Sequence, residues 1–162
     1  MRILYAEYTN VAFMQLTRFT DLGLRAIMLL ATGQAREQRV TTRTVAAAAG
    51  ASENHVAKAV SRLTEMGLVY ARRGRAGGLE LTDAGREVSL GRLVRQLEGD
   101  REVVDCTGQS ACPLIAGCRL RRVLADAKEA FYAELDRYTI TDLVGSKSLP
   151  VVLQLTTEGN HR

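Results

Sequence analysis

The segment from residue 41 to residue 67 constrains the fold more than any other part of the chain, because it predicts two short helices joined by a tight turn. Thr41 or Thr42 suits the N-cap of the first helix, whose alanine-rich interior "VAAAA" lets another helix approach closely. Gly50 ends that helix, and Ser52 suits the N-cap of the second. This pattern is the signature of a helix-turn-helix, although an αα-hairpin buried for structural reasons would show it too.

Two short runs with β-strand character follow the second helix and flank a basic, glycine-rich tip. The runs are Leu68–Ala71 and Leu79–Thr82, and the tip holds three glycines together with Arg72, Arg73 and Arg75. The tip does not match the G-x-x-x-x-G-K-[ST] pattern of a phosphate-binding loop, and no helix follows it directly. A helix-turn-helix followed at once by such a hairpin is a winged helix, whose arginines can contact DNA phosphates or the minor groove.

Basic residues are concentrated in this part of the chain. The net charge of the 162 residues is only +4, but seven basic residues stand against two acidic ones between positions 39 and 75. A solvated charged surface has a similar composition, so the predicted winged helix decides in favour of a polyanion partner. We expect double-stranded DNA to contact Thr42, Arg43, Ser52, Glu53, Asn54, His55, Lys58, Ser61, Arg62, Arg72, Arg73 and Arg75.

All three cysteines of the chain lie in one short segment. Cys106, Cys112 and Cys118 follow the spacing C-x5-C-x5-C, with two glycines and a proline between them. No export signal or apolar run of about 20 residues is present, so we expect a cytoplasmic protein without a membrane partner, in which clustered cysteines are metal ligands or redox groups. Structural zinc sites use closer C-x2–4-C pairs, so the wider gaps favour an iron–sulfur cluster over zinc or over idle thiols.

Helical periodicity predicts three further helices. The first begins after Thr17, the second runs from Asp83 to about Glu98, and the third runs from about Cys118 to Tyr138. The third carries apolar residues at near-heptad spacing, which is typical of a helix that pairs with another helix but also of a monomer's surface helix. These residues are Leu120, Leu124, Ala127, Phe131, Leu135 and Tyr138.

The predicted fold class is therefore mainly α, with a winged helix-turn-helix DNA-binding domain, a long dimerisation helix and a cysteine-bearing cluster loop. The expected organisation is a possible upstream extension (1–13), the DNA-binding domain (14–98), the iron–sulfur cluster-binding loop (99–118), the dimerisation helix (119–144) and a flexible tail (145–162).

Together these features resemble the winged-helix iron–sulfur transcription regulators, a family that includes NsrR-type nitric-oxide sensors and IscR-type regulators of cluster assembly. The resemblance covers residues 14 to about 144, and "MQLTRFTDLGLR" and "CTGQSACPLIAGC" look most like the NsrR type. It also rests on "TTRTVAAAAGASENHVAKAVSRLTEMGLV", on the wing "RGRAGGLEL" and on "TITDLV". The resemblance implies a homodimer that binds operator DNA and uses a cluster as its sensor, 4Fe–4S by preference and 2Fe–2S as the alternative.

Three thiols leave one ligand position of such a cluster open. IscR-type members use a histidine near the cysteine loop, whereas the only histidines here, His55 and His161, are not well placed. In the family dimer the N-terminal helix of one subunit lies near the cluster loop of the other, and Asp21 is the only acidic residue of that helix. The resemblance therefore implies ligation by Asp21 of the partner subunit, with Glu98, Asp105 or solvent as alternatives.

The expected function is that of a transcriptional repressor that senses nitric oxide and leaves its operator when nitric oxide reacts at the cluster. A carboxylate is a weak ligand for cluster iron, so its position would be open to a small diatomic ligand. A regulator that senses cluster supply or general redox state is the alternative, followed by an electron-transfer protein, which would have little use for a basic winged helix. An enzyme is not expected, because the sequence shows neither a Ser/His/Asp set nor a carboxylate pair beside a histidine.

Overall fold

The computed structural model describes residues 16–35, 39–72, 74, 77–99, 101–107 and 112–144. The predictions for 1–13, 145–162, Arg73, Arg75 and His161 lie outside these residues. The elements are α1 (Arg18–Ala35), α2 (Thr42–Ala49), α3 (Glu53–Glu65), β1 (Val69–Arg72), β2 (Gly78–Leu81), α4 (Asp83–Glu87), α5 (Leu90–Glu98), α6 (Arg119–Leu135) and α7 (Ile140–Val144). Among the described helices, none combines the length and apolar character that a membrane span requires.

Local capping interactions define the helix-turn-helix. The Thr41 side chain accepts a hydrogen bond from the Thr44 amide at the start of α2, and Gly50 ends the helix with φ of 57°. A left-handed residue of this kind favours glycine, because a Cβ would be strained there. Ser52 then caps α3 by accepting a hydrogen bond from the His55 amide. The two helices and their turn are thus confirmed as predicted.

Helix α3 buries one face and leaves the other exposed. Its buried residues recur at the spacing of one helical face and are Val56, Ala59, Val60 and Leu63. They pack in one core with α1, whose Ala26, Ile27 and Leu30 are fully buried. Because the apolar face of α3 points to this core, its polar residues are directed to solvent.

The wing is a two-stranded antiparallel hairpin. Strands β1 and β2 pair from Val69 with Leu81 to Arg72 with Gly78, within one residue of the predicted bounds. A third segment joins the sheet edge, where the Leu79 amide donates to the Val40 carbonyl over 2.8 Å. This bond anchors the base of the wing to the chain between α1 and α2.

The single helix predicted from Asp83 to Glu98 is wrong, because the structure divides this segment into α4 and α5. Val88 is extended between them, with φ of −61° and ψ of 132°. Ser89 pairs with Thr139 in an isolated β-bridge and its side chain also caps α5. A tertiary contact with the chain after α6 therefore accompanies the break, and helix propensity alone could not reveal it.

The dimerisation helix predicted for residues 119–144 is also interrupted. Helix α6 ends at Leu135, and α7 begins at Ile140 after a capping box in which Thr139 and Asp142 exchange hydrogen bonds. Ile140 is fully buried, and α7 packs against α1 and α4. The last described helix thus joins the core of the winged helix rather than extending α6.

The predicted apolar seam of α6 is split between two faces. Two residues of the predicted seam, Leu124 and Leu135, are half-buried. The buried side of α6 packs against α5 and carries Tyr132, which the predicted seam did not include. The large apolar residues left exposed on α6 are Leu120, Val123 and Phe131, and with the exposed Ala127 they are spaced by three or four residues. We call these four residues the α6 apolar face.

Candidate functional site

The exposed side of α3 carries the residues predicted to read DNA. Ser52, Glu53, Asn54, His55, Lys58, Ser61 and Arg62 are all exposed, as is Arg43 on α2, whereas Thr42 is half-buried. The side chains at the start of α3 are partly ordered by neighbours, since the Ser52 hydroxyl lies 3.0 Å from Nδ1 of His55. The structure thus presents one polar helix face flanked by the basic wing, the arrangement with which winged helices enter a major groove.

The four described candidate cations differ in their availability. Three of them form ion pairs with glutamates of the helix-turn-helix or the wing. The N···O distances are 3.7 Å for Arg43 with Glu53, 3.3 Å for Arg62 with Glu65 and 3.6 Å for Arg72 with Glu80. Lys58 is the one of the four without an ion-pair partner in the described part of the chain. All of these pairs are exposed and therefore weak, so a phosphate can compete for the arginines, while Lys58 is already free to bind one.

The cysteine loop brings three reduced thiols to the start of α6. Cys106 is buried, with an exposed fraction of 7 %, whereas Cys112 and Cys118 are half-buried. The Cys112 amide donates to the Cys106 carbonyl over 3.1 Å, so the backbones of the first two cysteines are in contact. Within the described residues, no three histidine, cysteine or acidic side chains converge closely enough to hold a single metal ion.

The thiols affect one another electrostatically. Burial raises the pKa of the Cys106 thiol, and the neighbouring Cys112 raises it further. Cys118 acts in the same direction, whereas the Arg121 guanidinium opposes the increase. Ionising Cys106 is therefore unfavourable unless a cationic group lies beside it.

An ion pair that sequence reasoning missed lies beside the thiols. Nε of Arg121 donates to the Glu102 carboxylate over 2.8 Å, and a second, closer contact joins its Nη2 to the other oxygen. This hydrogen bonding lowers the pKa of Glu102, so the carboxylate is ionised and engaged. A second missed contact runs from Nζ of Lys128 to the Arg101 carbonyl, at 2.6 Å. No periodic signal could indicate these pairs, because their members are 19 and 27 positions apart.

Cys118 occupies the N-cap position of α6, and its side chain makes no capping hydrogen bond. The amides of the first helical turn and the positive end of the helix dipole therefore lie next to this side chain. Cys118 also lines an open cavity of about 540 Å³ between the loop and α6, together with Glu102, Ile115, Arg121, Leu124 and Lys128. The third thiol is thus accessible from this cavity.

The candidate oxygen ligands differ in their surroundings. Asp21 lies in the first turn of α1, where it pairs with Arg25 at 2.7 Å and keeps 38 % of its side chain exposed. Glu98 accepts hydrogen bonds from Thr17, while Asp105 is exposed in the loop itself. The structure describes a single chain, so the assignment of Asp21 of the partner subunit as a ligand stays a prediction.

A close junction of α5 and α6 connects the cysteine loop to the winged helix. A Cβ at Gly91 would lie 2.3 Å from the Tyr132 carbonyl oxygen, so only glycine allows this approach. Arg95 stacks over the Tyr132 ring at 4.4 Å and pairs with Glu129 at 2.6 Å. Since α5 also packs against α1, a shift of α6 would be transmitted to the DNA-binding core.

Comparison with known proteins yields consistent matches. The family model described as "Rrf2: Iron-dependent Transcriptional regulator" matches residues 16–146. The HTH-type transcriptional repressor NsrR of Streptomyces coelicolor is 57% identical over 143 residues, covering 88% of this chain and 97% of the relative.

Solved structures agree with the fold. T. potens IscR aligns with a TM-score of 0.62 at 24% identity, over 80% of this chain and 85% of its own. CymR, the global cysteine regulator of B. subtilis, aligns with a TM-score of 0.58 at 25% identity, over 82% of this chain and 97% of its own. These neighbours confirm the predicted winged-helix fold class.

The curated relative and the matched family are transcriptional regulators, which confirms the expectation of a regulator rather than an enzyme. The family model covers most of the chain, and the segments that carried the resemblance lie almost entirely inside it. The chain belongs to the Rrf2 family of transcriptional regulators and is similar to its NsrR repressors.

Proposed function

We propose that this protein is an iron–sulfur-dependent, nitric-oxide-sensing repressor that binds operator DNA as a homodimer. The observation that carries the proposal is the confinement of all three cysteines, as free thiols, to the loop that leads into α6 of an Rrf2-family winged helix. The high identity to a repressor named NsrR supports the nitric-oxide signal in particular.

The donor set of the loop fits a cluster. Cys106, Cys112 and Cys118 would each hold a different iron, and Arg121 together with the N-terminus of α6 would offset part of their negative charge. Asp21 of the partner subunit would complete a 4Fe–4S site, with 2Fe–2S as the alternative. When bound, such a cluster supplies iron that can exchange a weakly held oxygen ligand for nitric oxide.

The α6 apolar face supports the homodimer. Leu120 and Val123 are 62% and 61% exposed, and Phe131 is 38% exposed, on a helix of 17 residues. An apolar stripe of this length at near-heptad spacing is typical of helix pairing. A dimer formed there would set the spacing of two α3 helices, which must match half-sites about 34 Å apart on DNA.

The release of DNA follows from the connections of the loop. Three ligating thiols would fix the loop from Cys106, eight positions after the end of α5, to Cys118 at the start of α6. Loss of thiolate ligation would free α6 at its N-terminus, and the α5–α6 junction would pass the displacement to α1 and α3. A mismatch in half-site spacing removes several kcal/mol of specific affinity, which is enough to empty an operator.

The test is anaerobic purification with assay of visible absorption, iron and sulfide, followed by titration with nitric oxide while binding to a promoter fragment is monitored. Parallel loss of colour and DNA binding would support the proposal. A colourless protein would contradict it, and a cluster protein whose DNA binding ignores nitric oxide would favour a sensor of cluster supply or redox state.

The change Asp21→Ala tests the fourth ligand. We expect an altered visible spectrum and an altered response of DNA binding to nitric oxide, because the iron would lose its protein oxygen ligand. Asp83→Ala is the matched control, since both acids lie in the first turn of a helix and contribute about 0.3–1 kcal/mol through the helix dipole. Unchanged spectra and nitric-oxide sensitivity in Asp21→Ala would show that the ligand assignment is wrong.

The change Lys58→Ala tests the DNA-facing surface. We expect weaker binding to operator and unrelated DNA alike, and a slope of log affinity against log salt that is smaller by about 1, since one phosphate contact is lost. Arg137→Ala removes the same charge after α6 and should leave the slope unchanged. An unchanged slope for Lys58→Ala would mean that this face of α3 does not contact phosphate.

A further inference from the structure

A single carboxylate joins the end of α5 to the start of α1. Oε1 of Glu98 accepts hydrogen bonds from the Thr17 amide at 2.7 Å and from the Thr17 hydroxyl at 3.1 Å. The Thr17 hydroxyl oxygen in turn accepts from the Thr20 amide, and Thr20 is fully buried. The N-cap of α1 is therefore held by a residue 81 positions away.

Both ends of this contact border the proposed sensor. Glu98 is the last residue of α5, so the cysteine loop starts directly after it. On the other side, the Asp21 amide donates to the Thr17 carbonyl at 2.9 Å, in the first turn of α1. One side chain thus links a chain's own cysteine loop to the turn that carries Asp21.

We propose that Glu98 is a positioning residue that couples the two cluster sites of the homodimer. The inference rests on the proposed function, in which Asp21 of each chain serves the loop of the other. A cluster bound in one loop fixes Glu98, and Glu98 fixes the turn that presents Asp21 to the second loop. The second cluster then binds to a turn that is already ordered, so its binding carries a smaller entropic cost. The two clusters of the dimer therefore bind cooperatively.

This role differs from ligation by Glu98 itself. A glutamate that already accepts two hydrogen bonds from Thr17 would have to abandon both, and uncap α1, to reach an iron. The carbonyl oxygen of a glutamine can accept the same two bonds, whereas it is a poor ligand for cluster iron. Glu98→Gln therefore separates positioning from ligation, and Glu98→Ala removes both.

The experiment counts clusters per dimer. Full-length protein is reconstituted anaerobically with iron and sulfide to half of its full loading, and native mass spectrometry measures dimers with zero, one and two clusters. Independent sites give about half of the dimers with one cluster, whereas a coupling of about fivefold lowers that fraction to about a third. We expect about a third for the wild type and Glu98→Gln, and about half for Glu98→Ala.

Control variants and a substitute variant complete the cluster-counting experiment. Glu134→Ala removes an exposed carboxylate that, among the described residues, pairs with its neighbour Arg137, and this variant should keep the wild-type fraction. If Glu98→Ala does not fold, Thr17→Val, which loses the hydroxyl contact, should shift the fraction in the same direction. An independent distribution in the wild type, a wild-type distribution in Glu98→Ala, or loss of clusters in Glu98→Gln would each overturn the coupling role. A wild-type protein that takes up no cluster would instead overturn the proposed function, and the coupling with it.

Discussion

Replacing Cys106 with serine is expected to abolish cluster binding and, with it, the response of DNA binding to nitric oxide. Cys106 is the most buried of the three thiols, and a serine hydroxyl is a harder and weaker donor for iron than a thiolate. Substitutions that only touch the surroundings of a metal site already cost about 10–100-fold in affinity, so loss of a ligand should reduce iron content more than about tenfold. Iron and sulfide assays on anaerobically reconstituted protein measure this change.

The exposed neighbour Thr107 provides the matched control for Cys106→Ser. Thr107→Ala alters the same loop without touching a thiol, so it should retain its cluster and its nitric-oxide response. Far-UV circular dichroism should show native helix content in both variants, because the winged-helix core does not depend on the loop. A serine variant with full iron content and unchanged absorption would exclude Cys106 as a ligand.

The change Gly91→Ala is expected to lower the free energy of unfolding by about 2–3 kcal/mol, because it forces apart the two helices that meet at this point. The added Cβ would lie 2.3 Å from the Tyr132 carbonyl oxygen and 2.5 Å from a carboxylate oxygen of Asp136. A backbone carbonyl inside a helix cannot rotate away, so α6 as a whole must move. Urea unfolding at fixed protein concentration measures the difference.

The sign of the Gly91→Ala effect is informative. Alanine in place of glycine within a helix normally stabilises by about 1 kcal/mol, so a gain in stability would show that α5 and α6 are not in close contact in solution. Gly117→Ala serves as the reference for stability, because no atom of the described residues lies within 4 Å of the added Cβ there. That variant should unfold at nearly the wild-type urea concentration.

Features encoded by neighbouring residues could be predicted from the sequence. The caps at Thr41 and Ser52 and the left-handed Gly50 act within a few residues, so the helix-turn-helix followed from local chemistry. The breaks after α4 and α6 could not be predicted, because Ser89 and Thr139 meet only in the folded chain. Each break replaces continued helix with a tertiary contact.

The candidate site divides in the same way. The cysteines could be identified as candidate ligands from their residue type and spacing. The ion pair of Glu102 with Arg121 could not be predicted, because the two residues have no periodic relation in the sequence. The sequence indicates Glu98 only as a possible ligand, because its contact with Thr17 joins residues 81 positions apart and forms only in the folded chain. Asp21 concerns a second subunit, so its assignment stays a prediction that the ligand experiment must test.

The position of α7 has a consequence for how the protein is made. Ile140 is fully buried in the core that includes α1, and the Thr141 hydroxyl bonds to the Arg86 carbonyl at 3.1 Å. Since a chain leaves the ribosome from its N-terminus, the DNA-reading unit remains incomplete until the whole cysteine loop has been translated. Nascent chains that stall after the loop would therefore present free thiols beside an unfinished winged helix, and only completed molecules would carry a finished DNA-reading unit.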